Sequence, residues 1–139
     1  MVGNAMVGTM TRREVLSGAA LMMLAAYPVM AASALRDVSP QEAYNTMQND
    51  PAIVVLDIRT PREFSGGHIE GAINIDYYAK DFAERIMALD PDKTYVMHCQ
   101  AGGRSHALMR AFSQSPFKDV MHVPAGFSAW KRAGLPFVK

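Results

Sequence analysis

The stretch YVMHCQAGGRSHALMRAF, residues 95–112, decides the fold of this chain. Its first three residues are bulky and largely apolar, which predicts a short buried strand over 95–97. Cys99 and a glycine-rich loop follow, and apolar residues then recur at helical spacing, which predicts a helix over 104–112. A strand that passes through a tight loop into a helix is typical of a parallel α/β sheet.

The rest of the chain from Leu35 on shows the same alternation. Ser39 and Glu42 form the pattern of a capping box at one helix start, and Thr60 and Glu63 repeat it at another. The remaining predicted elements are strands over 53–56, 72–75 and 120–123 and helices over 81–89 and 127–132. We therefore expect an α/β fold with a parallel sheet of about five strands and helices on both faces. In such sheets ligands bind beyond the carboxyl ends of the strands, and Cys99 takes that position.

Composition indicates one domain and argues against several functional classes. The 139 residues are 50% hydrophobic and 19% charged, which suits a single globular core. A formal net charge of +1 gives no reason to expect a nucleic-acid partner or a polybasic membrane patch. The only cysteine is Cys99, so the chain has no internal disulfide, and its four histidines lack metal-ligand spacing. We expect neither a metal nor a cofactor.

Residues 1–34 have the pattern of an export signal. Their charges are confined to Arg12, Arg13 and Glu14, and the uncharged stretch that follows is rich in Ala, Leu and Met. It ends in the small-x-small pattern that signal peptidase accepts. We predict a cleaved signal peptide over 1–34, a domain over 35–139 and a periplasmic location in a bacterium.

The export route and the fate of this segment stay open. The paired arginines resemble a twin-arginine motif, which marks export after folding, although ordinary secretory signals also carry such pairs. The apolar stretch is about long enough to span a bilayer, so a retained membrane anchor is the alternative to cleavage. Met10, just ahead of the arginines, is a second candidate start. In each case the domain is expected outside the cytoplasm.

The loop after Cys99 suits a reactive thiol better than an inert one. An unperturbed cysteine has a pKa of about 8.5, so it is mostly protonated at neutral pH. A strand-to-helix turn brings backbone N–H groups and the positive end of the helix dipole toward the sulfur. We expect Gly102 and Gly103 to let the chain curl around the sulfur, and Arg104 to add a positive charge.

This loop resembles the active-site loop of the rhodanese family, whose pattern is Cys-x-x-Gly-x-Arg-Ser. Here it consists of Cys99, Gln100, Ala101, Gly102, Gly103, Arg104 and Ser105. Further matches follow the family's order: an Asp-x-Arg segment in 56–64, the run His-Ile-Glu-Gly-Ala-Ile-Asn-Ile at 68–75, and the ending over 126–136. The resemblance covers essentially all of 35–139.

The resemblance implies a sulfurtransferase. Cys99 would take the outer sulfur of thiosulfate or a similar donor as a persulfide and pass it to cyanide or a thiol. Arg104 would hold the loop or the anionic donor. The donor would bind at the other loop residues, Gln100, Ala101, Gly102, Gly103 and Ser105. We expect a monomer, and since the chain has no second cysteine, the sulfur must leave to an external acceptor, a small molecule or a protein.

Other polar residues receive supporting roles or none. Asp57 follows a strand at the same edge as the loop, where it pairs with Arg104 or the loop amides, or instead caps the next helix. We expect Arg59 to be a solvated charge rather than part of the site. His68 lies in a family segment, which implies a structural hydrogen bond. We expect no chemistry from the two histidines that flank the loop, His98 and His106.

Three other functions compete with this interpretation. Cys-dependent phosphatases and arsenate reductases have five residues between Cys and Arg, enough to surround an oxyanion, whereas four separate Cys99 from Arg104. A module that only binds a protein partner would share the fold, although such modules commonly lack the nucleophile. A dedicated persulfide carrier would share the loop as well. The neutral Gln100 and Ala101 offer little charge to thiosulfate, which slightly favours such a carrier or a broad, slow enzyme.

Overall fold

The computed structural model describes residues 34–139, in which strands and helices alternate. The strands are β1 (Ala34–Asp37), β2 (Val54–Asp57), β3 (Ile73–Asn74), β4 (Thr94–His98) and β5 (Asp119–His122). The helices are α1 (Pro40–Asn49), α2 (Pro61–Ser65), α3 (Phe82–Met87), α4 (Gly103–Phe112) and α5 (Gly126–Arg132). Apart from Ala34, the predicted leader lies outside the described residues. No helix in 34–139 has the length and apolarity needed to cross a membrane.

The strands form one parallel sheet in the order β1-β5-β4-β2-β3, which confirms the predicted α/β fold. Parallel neighbours need crossover connections, and the helices supply them. The predicted elements agree with the observed ones to within two residues at each end. Strand β1 was not predicted, because three of its four residues are exposed and it lacks a buried apolar run.

Capping fixes where two of the helices begin. The Ser39 hydroxyl accepts the N–H of Glu42 at 3.1 Å, but only this half of the predicted box forms at α1. At α2 the box is complete, because Glu63 also accepts the backbone N–H of Thr60 at 2.9 Å. The second box fixes the position of Glu63 at the start of α2.

Helices pack on both faces of the sheet, as predicted. Successive side chains of a strand point to opposite faces. One face buries a cluster with α1 and α5, in which Val55, Val96 and Met121 lie with Ala43 and Trp130. The other face buries a cluster with α3 and α4, in which Leu56, Met97 and Val120 lie with Ile86 and Phe112.

The carboxyl ends of the parallel strands lie at one side of the sheet, which we name the carboxyl edge. All five strands end there in a polar residue: Asp37, Asp57, Asn74, His98 and His122. In the strand register Asp37 is paired with His122 and Asp57 with His98. The loop that begins at Cys99 leaves the sheet from the middle of this row.

Candidate active site

Cys99 is the first residue after β4 and is 1% exposed. Its Sγ accepts hydrogen bonds from the backbone N–H of Gly102 at 3.0 Å and from Ser105 Oγ at 3.4 Å. Because Gly103 opens α4, these donors lie at the amino end of that helix. The loop thus encloses the sulfur at the carboxyl edge.

Opposing effects act on the Cys99 thiol. Burial by itself raises the pKa of Cys99, because a thiolate loses its hydration. Hydrogen bonds from the Ser105 hydroxyl and from the backbone of Ser105, Gly102 and Ala101 act in the other direction and outweigh burial. The pKa of Cys99 therefore lies below that of an ordinary thiol, which favours the reactive thiolate.

Only one of the two loop glycines is required by its backbone conformation. Gly102 has a φ of +109°, and a Cβ there would lie 1.7 Å from the carbonyl oxygen of Pro124. Gly103 starts α4, and a Cβ there would meet no atom within 4 Å. The expectation that both glycines curl the chain is therefore wrong for Gly103, whereas Gly102 allows the tight approach to Pro124.

Arg104 pairs with Glu63, not with Asp57. Its two terminal nitrogens donate to the two carboxylate oxygens of Glu63, each at 2.8 Å. This hydrogen bonding to Arg104 lowers the pKa of Glu63 to about 2, and the pair in turn raises the pKa of Arg104. Because Glu63 is fixed by the capping box of α2, Arg104 joins that helix to the active-site loop.

Asp57 and Arg59 form a buried ion pair under the loop. Arg59 is 1% exposed, so the expectation of a solvated charge was wrong. Its Nη2 donates to Asp57 Oδ2 at 2.6 Å and to the carbonyl of Gly67 at 2.8 Å, and its Nη1 donates to Gln100 Oε1 at 3.0 Å. Asp57 accepts from Nη2 and Nε of Arg59 rather than capping α2, where Thr60 is the N-cap.

The Gln100 side chain is occupied by neighbouring protein groups. Besides accepting from Arg59, the side chain donates to Ser128 Oγ at 2.9 Å. The backbone carbonyl of Gln100 accepts the N–H of Ser128 at 3.0 Å. Both polar atoms of the side chain thus have a protein partner, while the second N–H of Nε2 and the second lone pair of Oε1 stay available, so the predicted contact with substrate stays a prediction. Ala101 and Gly103, in contrast, are exposed at the loop's outer side.

Two histidines near the site contact backbone carbonyls. His68 stacks on Phe64 at a centroid distance of 3.8 Å, and its Nδ1 lies 3.1 Å from the Phe64 carbonyl. His98 Nδ1 lies 2.9 Å from the carbonyl of Cys99, while its Nε2 has no hydrogen-bond partner among residues 34–139. Burial lowers the pKa of His98, which keeps the ring neutral although Asp57 lies 3.7 Å away.

A cavity of about 440 Å³ adjoins the loop on the side of Gln100 and α5. Two exposed cations, Arg62 and Lys131, line it. The other charged lining residues are paired, Arg59 with Asp57 and Glu63 with Arg104. The cavity therefore presents a positive surface next to the loop.

Residues 39–133 match the family model of the rhodanese-like domain. The chain belongs to the rhodanese-like family. It is 36% identical over 91 residues to thiosulfate sulfurtransferase 16 (chloroplastic) of Arabidopsis thaliana, covering 58% of this chain and 76% of that protein. It is 34% identical over 94 residues to thiosulfate sulfurtransferase GlpE of Pseudomonas aeruginosa, covering 68% and 82%.

Solved structures agree with this assignment. A rhodanese-related protein from Thermoplasma volcanium superposes with a TM-score of 0.66 at 31% identity, covering 74% of this chain and 97% of that one. The five-stranded parallel sheet is thus the rhodanese-like fold, as the loop motif predicted.

Sequence reasoning missed two members of this rhodanese site, Glu63 and His122. Glu63 was assigned only to a capping box, since nothing in the spacing connects it with Arg104, 41 positions later. His122 Nε2 lies 2.8 Å from Ser105 Oγ, behind the sulfur. Its signal was present in the sequence: it is a polar residue near the carboxyl end of a predicted strand, as Asp57 is.

Proposed function

We propose that this rhodanese domain is a sulfurtransferase that carries a sulfane sulfur on Cys99. The observation that supports it best is the enclosed Sγ, which accepts from Gly102 and Ser105 and has a lowered pKa. A nucleophilic thiol needs its thiolate form at neutral pH, and this loop favours it.

The reaction has two half-steps. The Cys99 thiolate attacks the outer sulfur of thiosulfate, the S–S bond of the donor breaks, and sulfite leaves with its electron pair. The new Cys99 persulfide is then attacked at its terminal sulfur by cyanide or a thiolate. Thiocyanate or an acceptor persulfide leaves, and the Cys99 thiolate is restored. No metal or redox cofactor is needed for either step.

The surroundings of the loop support an anionic donor. The N–H of Gly102 points at the sulfur and suits a persulfide anion as well as a thiolate. Arg62 and Lys131 give the adjoining cavity the positive charge that the neutral Gln100 and Ala101 do not supply. Thiosulfate, which carries two negative charges, would be attracted to this side of the loop.

Phosphatase chemistry has less support at this site. Four residues separate Cys99 from Arg104, and both terminal nitrogens of Arg104 are bonded to Glu63. An oxyanion bound in the loop would need that guanidinium, and taking it would leave the Glu63 carboxylate without its partner.

Initial-rate kinetics with thiosulfate and cyanide test the proposal. We expect parallel double-reciprocal lines, as a covalent two-step mechanism requires, and loss of transfer in Cys99→Ser. Transfer from a low-molecular-weight persulfide but not from thiosulfate would identify a dedicated carrier. Hydrolysis of an aryl phosphate by the wild type without any sulfur transfer would contradict the proposal. If the folded protein is inactive in all three assays, the proposal fails and the domain is instead a module that only binds a protein partner.

We further propose that the domain works outside the cytoplasm, based on the signal-like residues 1–34. Expression of the full chain in a bacterium with both export routes tests this. Export predicts a shortened periplasmic product, and dependence on the twin-arginine route predicts its loss in Arg12→Lys/Arg13→Lys. Cytoplasmic full-length protein would contradict export.

A further inference from the structure

His122 connects the sulfur of Cys99 with a carboxylate on another strand. Its Nε2 lies 2.8 Å from Ser105 Oγ, which itself lies 3.4 Å from Cys99 Sγ. Its Nδ1 lies 2.8 Å from Oδ1 of Asp37, the residue opposite it in the β1–β5 pairing. We name these three residues the Ser105–His122–Asp37 chain.

This chain leads from the buried sulfur to the protein surface. Ser105 and His122 are both 0% exposed, whereas the side chain of Asp37 is 63% exposed. A buried imidazole between a hydroxyl and a carboxylate can accept a proton at one end while its charge is balanced at the other. The geometry is therefore that of a path for a proton, with one end at Cys99 and the other in contact with water.

The contacts also determine which ring nitrogen of His122 carries the proton. A carboxylate only accepts hydrogen bonds, so the short contact with Asp37 places a proton on Nδ1. In the neutral ring Nε2 is then an acceptor for the Ser105 hydroxyl. The carbonyl of Gly102, at 3.2 Å from Ser105 Oγ, is a second acceptor, but the His122 contact is shorter by 0.4 Å. While Cys99 is a thiol, the Ser105 proton is directed to His122 and the S–H of Cys99 is directed to the Ser105 oxygen; once Cys99 is a thiolate, Ser105 donates to its Sγ.

We propose that His122 takes up the thiol proton of Cys99 through Ser105 when the nucleophile ionises. The S–H bond of Cys99 breaks as a new O–H bond forms on Ser105, and the former O–H bond of Ser105 breaks as an N–H bond forms on His122 Nε2. The products are a thiolate that accepts a hydrogen bond from Ser105 and an imidazolium paired with Asp37. His122 acts through Ser105 and is thus a positioning residue for the ionised nucleophile.

Other titratable groups near His122 do not replace this role. From β4, His98 is held neutral by burial, and its Nδ1 is engaged by the carbonyl of Cys99. From α4, the exposed His106 lies 6.3 Å from His122 between ring centroids. From β1, Arg36 pairs with Asp119. The carboxylate in contact with the ring is therefore that of Asp37, and the reacting acid is Cys99.

The inference deepens the proposed function, because it assumes Cys99 as the nucleophile, but its test does not depend on sulfur transfer. The absorbance of the thiolate in the ultraviolet, measured against pH and corrected with Cys99→Ser, reports one group only, since the chain has one cysteine. We expect the pH midpoint of this signal to rise by about one pH unit or more in His122→Gln, because a neighbouring cation that favours thiolate is lost. It should rise by less in Asp37→Asn and stay unchanged in the matched control His106→Gln.

Two further readouts keep the proposal falsifiable if His122→Gln does not fold. Asp37 is largely exposed, so Asp37→Asn is expected to fold and still to shift the midpoint. The ring ¹⁵N signals of His122 should show both nitrogens protonated where Cys99 is a thiolate, and Nδ1 alone in Cys99→Ala at the same pH. An unchanged midpoint in Asp37→Asn together with the same His122 protonation in both proteins would overturn the proposal. If the pH midpoint of the thiolate signal shifts in these variants but the wild type transfers no sulfur, the proton relay stands and the sulfurtransferase proposal fails. If the wild type transfers sulfur but the midpoint stays unchanged, the sulfurtransferase proposal stands and the relay fails.

Discussion

The two edges of the sheet each carry an ion pair, and the two pairs differ in how deeply they are buried. At the carboxyl edge the Asp57–Arg59 pair is at most 1% exposed. At the opposite side, which we name the amino edge, Asp119 pairs with Arg36, and their side chains are 29% and 42% exposed. Within residues 34–139 the buried polar and charged residues all lie at or beside the carboxyl edge: Asp57, Arg59, His98, Ser105 and His122.

The difference in burial between the two ion pairs shows where the fold bears the free-energy cost of burying charge. Burying charged and polar groups is unfavourable unless every one is paired, so such groups persist where they hold a functional loop in place. Cavity volume alone would favour the amino edge as the site, because that edge carries a cavity of about 570 Å³, larger than the cavity of about 440 Å³ beside the Cys99 loop. That larger cavity has exposed charges around it and no cysteine, so buried charge marks the proposed site better than cavity volume does.

The largest effect is expected from the glycine that lets the loop close. In Gly102→Ala the new Cβ would collide with the carbonyl of Pro124, so we expect loss of at least about 3 kcal/mol in the free energy of unfolding and transfer at background level. Gly103→Ala is the matched control, since a Cβ there meets nothing within 4 Å. Urea unfolding and transfer assays measure both. Equal stability of the two variants would contradict this account of the loop.

The two ion pairs can be compared by the same substitution at each edge. Asp57→Asn leaves the buried guanidinium of Arg59 without its counter-charge and should cost about 3–5 kcal/mol in unfolding free energy. Asp119→Asn removes an exposed pair and should cost less than about 1 kcal/mol. Chemical denaturation of both variants tests the difference. Similar losses would mean that burial does not distinguish the edges.

Glu63 links stability at the carboxyl edge to pH. Its pKa is about 2 in the folded protein against 4.5 for the free side chain, because Arg104 donates to its carboxylate. A lowered folded pKa stabilises the protein above 4.5, and that contribution is lost as the pH falls from 4.5 to about 2. The stability difference between wild type and Glu63→Gln should therefore shrink over this range.

The matched control for that experiment is Glu42→Gln. Glu42 occupies the equivalent position of α1 but forms no ion pair within residues 34–139. Its substitution should leave the acid limb of the stability curve almost unchanged. A constant difference between wild type and Glu63→Gln at all pH values would show that the Arg104 pair contributes nothing to this dependence.

The smallest effect concerns the two cavities. Lys131→Ala removes an exposed cation beside the loop and should raise the KM for thiosulfate about two- to fivefold, with little change in kcat, more strongly at low salt. Lys93→Ala removes a cation that lines the amino-edge cavity and should change neither constant. Steady-state assays at two salt concentrations measure both. An equal change in KM for the two substitutions would show that the positive charge of Lys131 beside the loop does not contribute to thiosulfate binding.

Local pattern predicted the elements but not the partners of the charges. Strand runs, N-caps and the loop motif lie within short windows, so the sheet, α2 and the position of Cys99 followed from the sequence. The pairs Arg104–Glu63 and Arg59–Gln100 each join residues 41 positions apart, and local periodicity carries no information on such contacts. Arg59 looked like a surface charge because its burial depends entirely on this tertiary arrangement.

The unpredicted β1 had a further consequence. Its residues carry no apolar run, and the predicted domain boundary after Ala34 falls within it. Without that strand Asp37 had no place in the sheet, so the contact between Asp37 and His122 could not be foreseen. The register of a parallel strand pair, not a motif, brings these two side chains together.

Intact mass tests the central claim, sulfur carriage by Cys99, most directly. The domain is weighed before and after thiosulfate, and again after cyanide, with Cys99→Ser treated in parallel. The account predicts a gain of one sulfur atom in the wild type, its loss with release of thiocyanate, and no change in the variant. Thiocyanate formation at the wild-type rate by Cys99→Ser, or turnover by a wild type that never gains the sulfur, would contradict it.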